Sequence, residues 1–225
     1  MIISKNEKEI LLQYLREPQP FNYKGDQRYS TLIAGLRDCR TNTKRNSTTG
    51  LFDNNLNGHP GNWLGAIGYF TILDQIGSCF KMKECARETQ SKNSIKLAIE
   101  NFGYDLIDND RKKLNALIAL RNSFTHDFNL LNVPDDKRPS QTHKFTVMAD
   151  VSDTWVVRLP EKQWNGDIET KDFYDTSNTT YVNLFGLGQL VEEIYFRICD
   201  LIDNDKLDLN INLTTLINKY TFIIS

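Results

Sequence analysis

The chain has 225 residues, 40% hydrophobic and 25% charged, with a formal net charge of −2 and a pI near 6.0. That length carries one large domain, or a domain with an insertion, and the near-neutral balance excludes a bulk nucleic-acid coat, whose footprint is a strongly basic domain. No apolar run approaches the ~20 residues of a membrane span, the start MIISKNEKE lacks the apolar core of a secretory signal, and Cys39, Cys79, Cys85 and Cys199 form no C-x-x-C pair, so the expectation is a reduced, cytoplasmic protein.

Residues 7–16 read as a first helix, with Ile10, Leu11, Tyr14 and Leu15 on one side and Pro18 and Pro20 ending it. Residues 28–40 read as a second, carrying Leu32, Ile33 and Leu36. Residues 41–61 are a polar loop, long for a compact domain and so either mobile or functional. The stretch 24–45 holds six basic residues (Lys24, Arg28, Arg37, Arg40, Lys44, Arg45) against two acidic ones. A second basic stretch is Lys81, Lys83, Arg87, Lys92 and Lys96. Both read first as solvated helix faces and otherwise as local phosphate sites.

Residues 62–80, NWLGAIGYFTILDQIGSCF, form a helix that is apolar nearly all round, which predicts burial between neighbours. Gly65, Gly68 and Gly77 each cost ~1 kcal/mol in a helix interior, so close helix packing is their expected use. Asp74 is the one charge in the run. It either finds a cation or faces solvent.

A short helix at 94–102 precedes a longer one at 108–126, for which Asp108 is the expected N-cap. Leu114, Leu117, Ile118 and Leu120 are its apolar face, and Arg111, Lys112 and Lys113 make its first turn basic. After Asn132 the texture changes. Val133-Pro134-Asp135-Asp136 is a turn signal, and 145–149 and 154–159 alternate as strands about Val151-Ser152-Asp153. A hairpin is expected there, with a third strand at 179–183. The expectation is one domain over 1–225, with residues 137–183 as a β insertion outside a helical core. A last helix at 184–203 is expected to return and cover the motif helix. The apolar end, 220–224, either docks or forms a strand.

The end of the helix at 108–126 carries the chemistry. It places Arg121, Asn122 and His126 together as R-N-x-x-x-H. Arg offers a permanent charge in a bidentate fork that matches phosphate, and His can move a proton near neutral pH. On an ideal helix Asn122 lies one turn below His126, while Arg121 and His126 stand about 140° apart around the axis and flank a groove. The plain alternative is a solvated Arg and a His capping the last carbonyls. His59 and His143 stand at no metal-ligand spacing, and neither glycine-rich phosphate motif occurs. No metal site is expected. Trp63, Trp155 and Trp164 read as packing residues before they read as stacking platforms for RNA bases.

R-N-x-x-x-H at the end of an apolar helix, with Leu120 before the Arg and Phe124 in the spacer, resembles the signature of the HEPN superfamily. The helix at 62–80 is similar to the partner helix of such domains, in which a polar residue often supports the motif; Asp74 stands in that place, and the resemblance implies that it could pair with Arg121. The resemblance implies a mainly α, HEPN-like helical bundle, here with a small β-hairpin insertion. It implies a metal-independent endoribonuclease without cofactor, in which the RNA 2′-hydroxyl attacks the adjacent phosphate. His126 would be general base or acid, Arg121 would stabilise the phosphorane, and Asn122 would orient the His or the phosphate. It also implies a homodimer with paired motifs, a toxin–antitoxin or defence setting and an antitoxin-type protein partner, while the lack of a long apolar run gives the expectation of no membrane. The rival is a non-catalytic module of the same kind that binds RNA, a nucleotide or a protein, which the net acidity favours. A third alternative is a helical interaction protein in which Arg121 and His126 only satisfy helix ends.

Overall fold

The computed structural model describes residues 4–83, 93–134 and 141–224, with the backbone alone for His126 and Asp127. Cys85, Arg87, Lys92 and the start of the expected insertion lie outside the described residues. Helix α1 (Lys5–Arg16) opens on a capping box: Ser4 Oγ accepts from the Glu7 N–H, and the Glu7 carboxylate accepts from the Ser4 N–H. Strands β1 (Phe21–Tyr23) and β2 (Asp26–Ser30) follow as a hairpin. Lys24 and Gly25 at its tip both have positive φ, as a tight two-residue turn with the right twist demands. Helix α2 (Thr31–Asn42) therefore starts three residues later than the apolar spacing suggests: Arg28 is in β2, and Ser30 caps the helix by accepting from the Ile33 N–H.

Helix α3 (Trp63–Cys79) is capped by Asn62, and its buried residues lie on most of its circumference. It packs closely on α4 (Ser94–Phe102). A Cβ on Gly77 would stand 1.8 Å from the Ser94 carbonyl oxygen, so only glycine permits that approach. Helix α5 (Arg111–Asn122) is capped by Asp110, whose side chain accepts from the Lys112 N–H, and not by Asp108. Asp108 instead sits in the left-handed region, ending a 3-10 turn at Asp105–Ile107. Helix α6 (Leu184–Asp203) occupies the expected span and buries Leu187, Leu190, Val191, Ile194 and Ile198. Helix α7 (Leu213–Tyr220) was not anticipated.

The expectation of a mainly α, HEPN-like bundle with a hairpin insertion is overturned. Among the described residues helix makes up 51% and strand 18%, and the strands form three sheets, so the fold mixes α and β. One sheet is β1-β2-β9, closed by β9 (Thr221–Ile223), whose Thr221 pairs with Ser30 and Ile223 with Arg28. A two-stranded sheet joins β3 (Phe80–Met82) to β8 (Leu207–Leu209). The third runs β4 (Leu131–Asn132), β5 (His143–Met148), β7 (Thr179–Asn183), β6 (Val157–Arg158).

β5 and β6 are not a hairpin. β7 lies between them, parallel to β5 and antiparallel to β6. Alternation marks a strand but does not say with which strand it pairs, and a short turn signal favoured the wrong partner. Nor does this sheet stand outside a helical core. Phe145, Val156, Val157 and Val182 are buried in the same cluster as the helices. No described helix is long and apolar enough to cross a membrane.

The first basic stretch also differs from expectation. Arg40 and Arg45 are almost fully buried, not solvated. Arg40 binds Glu192 of α6 as a fork, Nε to Oε1 at 2.9 Å and Nη2 to Oε2 at 2.7 Å, and its Nη1 donates to the Ser47 and Thr48 carbonyls. Burial works against the Arg40 charge, but the Glu192 carboxylate outweighs it and raises the pKa. Arg45 donates to the carbonyls of Gly50 and Phe185 and to Gln189 Oε1, and burial pushes its pKa down. Tyr69 of α3 donates to Glu192 Oε1. The long loop is thus fastened from inside, with bridges Thr43–Gly58 and Arg45–Phe52.

Removing one partner of a buried pair strands the other charge. Glu192→Ala is expected to cost about 3–5 kcal/mol in urea denaturation, and the paired change Arg40→Met with Glu192→Leu to cost less than Glu192→Ala alone. A double variant less stable than the single one would contradict this account.

Candidate functional site

Helix α5 does not end where its apolar face ends. After Asn122 the chain widens into a π turn, Ser123–Asp127, closed when the Phe128 N–H donates to the Ser123 carbonyl. Two hydroxyls stand where the ladder changes. Ser123 Oγ lies within hydrogen-bond distance of the Ala119 and Leu131 carbonyls, and Thr125 Oγ1 donates to the Arg121 carbonyl. Ser and Thr hydroxyls offer the backbone such alternatives, and π turns inside helices concentrate at functional sites. A π turn advances fewer degrees per residue than an α turn. Position 126 is therefore rotated back toward Arg121, by comparison with the ~140° of an ideal helix. The His126 side chain lies outside the described residues.

Along this segment the side chains reach α3 in reverse order. Arg121 Nη2 bonds Asp74 Oδ2 at 2.8 Å. Phe124 meets Phe70 edge-on with centroids 6.4 Å apart and stacks on Trp63 at 4.7 Å. Phe128 meets Trp63 at 5.5 Å. Trp63, Phe70 and Asp74 are spaced seven and four apart, so they share one face of α3. The Arg121 fork is aimed by two acceptors, Asp74 and, at 3.4 Å from Nη1, the Asn122 side-chain oxygen. Its Nε is buried and has no hydrogen-bond partner among the described residues.

Asp74 and Arg121 open onto a groove of about 550 Å³. Thr31 and Ser94, the first residues of α2 and α4, line it, as do Lys219 and Tyr220 of α7. Two helix N-termini therefore border the same groove as two cations. Each N-terminus carries partial positive charge and N–H groups without intrahelical acceptors. Set against one carboxylate, Asp74, the balance is positive. The arrangement suits an oxyanion such as a phosphate diester.

Of the residues singled out from sequence, the structure brings Asp74, Arg121 and Asn122 together. His126 follows on the π turn. His143 is buried, with Nδ1 2.9 Å from Thr180 Oγ1 and its ring stacked on Phe145, so it serves packing. His59 Nδ1 accepts from the Gly61 N–H. Lys219, Thr31 and Ser94 were missed, because each comes from a distant segment that carries no local motif. Comparison with known protein families, with curated proteins and with solved structures finds no match, so the site rests on its own chemistry.

The Arg121–Asp74 pair is about one-third exposed on each side. Asp74→Asn is expected to cost less than about 1 kcal/mol in chemical denaturation, and to tighten pyrophosphate binding by calorimetry because it releases the fork. A loss of stability near that of the buried pair, with unchanged pyrophosphate affinity, would make this contact purely structural.

Proposed function

We propose that the chain is a metal-independent endoribonuclease acting at the Arg121 groove. The observation that carries this is the Arg121 fork, held by Asp74 in a groove bordered by two helix N-termini and Lys219. The match of Arg121, Asn122 and His126 to the R-N-x-x-x-H signature supports the chemistry; the fold does not add to it.

In this proposal an RNA phosphate sits against Arg121. A base removes the proton of the 2′-hydroxyl, whose oxygen attacks phosphorus, and an acid gives a proton to the departing 5′-oxygen. The products end in a 2′,3′-cyclic phosphate and a 5′-hydroxyl. His126 supplies proton transfer, worth typically 10²–10⁴-fold. Arg121 neutralises the charge that develops on the phosphorane, and Asn122 and Asp74 fix the fork. A two-fold homodimer would bring a second imidazole, so that one acts as base and the other as acid. A toxin or defence role with an antitoxin-type partner rests on the motif alone.

One observation favours binding without cleavage. Arg121 is already paired with Asp74, and Arg40 and Arg45 are buried, which leaves fewer cations for a polyanion than the sequence offers.

The test is incubation of purified protein with mixed single-stranded RNA. Wild type is expected to cleave it, to leave cyclic phosphate ends and to be insensitive to EDTA. Arg121→Ala and His126→Ala are each expected to lower the rate at least about 100-fold, and Arg121→Lys to fail substantially because an ammonium lacks the fork. Equal residual cleavage by wild type and both alanine variants would refute the nuclease. RNA binding lost in Arg121→Ala without cleavage by wild type would establish the binding module.

A further inference from the structure

Phe128 breaks two local rules at once. It ends the π turn in the left-handed conformation, φ 51° and ψ 41°. That position favours glycine or asparagine, and a bulky side chain there is a genuine outlier. The residue is also 59% exposed. A steric cost and an exposed apolar ring together give the fold little in return. Outliers of this kind cluster at ligand sites.

The ring has a defined backing. Trp63 lies behind it, Phe124 is stacked on Trp63 with ring planes 19° apart, and Phe70 closes the row edge-on. Phe124 and Phe70 are buried, so the row is anchored in the core and open at its Phe128 end. This end lies on the same α3 face as Asp74, eleven residues away, or about 16 Å along the helix. Beside that face runs a second line of α3 residues, Leu64, Gly68, Thr71 and Gln75, spaced four, three and four apart. Gly68, Thr71 and Gln75 line the phosphate-suited groove, and Leu64 is 66% exposed next to Trp63. Gly68 and Thr71, in the middle of that line, have short side chains. A flat aromatic end and a positive groove thus lie on adjoining faces of α3, with Asp74 where the two meet.

We propose that Phe128, backed by Trp63, is a stacking platform for an unpaired base of a single-stranded RNA that holds the phosphate of a different nucleotide at Arg121; this rests on the RNA assignment of the groove. A base presents a π-face of any sequence to an aromatic ring, so the platform confers preference for unpaired strands, not for a sequence. Duplex RNA, whose bases are stacked on one another, does not supply that face.

The experiment uses fluorescence anisotropy with a labelled, cleavage-resistant 2′-O-methyl RNA strand of about ten nucleotides, and a matched strand in which every base is absent. Phe128→Gly is expected to weaken binding of the base-containing strand about tenfold, to leave the abasic strand unchanged and not to lower the melting temperature, because glycine suits the left-handed position. Phe128→Trp is expected to keep base-dependent binding, and Arg121→Ala to weaken both strands. If Phe128→Gly binds both strands like wild type while Arg121→Ala binds neither, the platform is wrong and the groove stands. If wild type binds neither strand, the groove assignment falls and the platform with it. A lower melting temperature in Phe128→Gly, with both strands weakened equally, would make the ring a structural wedge.

Discussion

The buried Arg40–Glu192 pair is the constraint on which the remaining architecture leans. A guanidinium and a carboxylate taken out of water must satisfy each other with good geometry and find partners for the donors and lone pairs left over. Here that requirement recruits four segments. Arg40 comes from α2, Glu192 from α6, the leftover donor takes carbonyls of the 41–61 loop, and the leftover lone pair takes the hydroxyl of Tyr69 on α3. Arg45 adds a second clamp from the loop to the start of α6. The orientation of α3 is fixed by this knot at one side and by Gly77 against α4 at the other.

With α3 fixed, the rest of the site follows. Its face bearing Trp63, Phe70 and Asp74 is the template against which the end of α5 settles. Aromatic stacking holds the π turn, and the ion pair aims the Arg121 fork. The groove then gathers elements that share no sequence neighbourhood: the starts of α2 and α4, and the end of α7. An ion pair one-third exposed on each side contributes little stability. Its value is in direction, since it keeps the fork at one orientation at the mouth of a groove.

The sequence was most legible where periodicity and caps coincide. Helix α6 and helix α4 occupy the expected spans, whereas the lone charge in α3 left a cation partner and solvent both open, and only the family resemblance set Asp74 beside Arg121. What could not be read was non-local. Alternation at 145–149 and 154–159 signalled strands, yet their partner is β7, which is supplied by residues 179–183. The pairing of β2 with β9, and α7 with its Lys219, depends on segments at opposite ends of the described chain. The basic count in 24–45 misled for a related reason: charge is visible in sequence, but the carboxylate that draws Arg40 inward is 152 residues away. The π turn was invisible because its hydroxyls, Ser123 and Thr125, are ordinary helix residues until Leu131 offers Ser123 a second carbonyl.

The closure of the β1-β2-β9 sheet has a temporal side. Thr31, at the groove, donates its hydroxyl to the carbonyl of Tyr220, 189 residues later, and β9 follows at once. On a ribosome that adds roughly 5–20 residues per second, the first wall of the groove waits on the order of ten to forty seconds for the last. A nascent chain therefore carries Arg121 for some time before the groove around it is complete, and the finished cleft exists only once Lys219 and Tyr220 have been made.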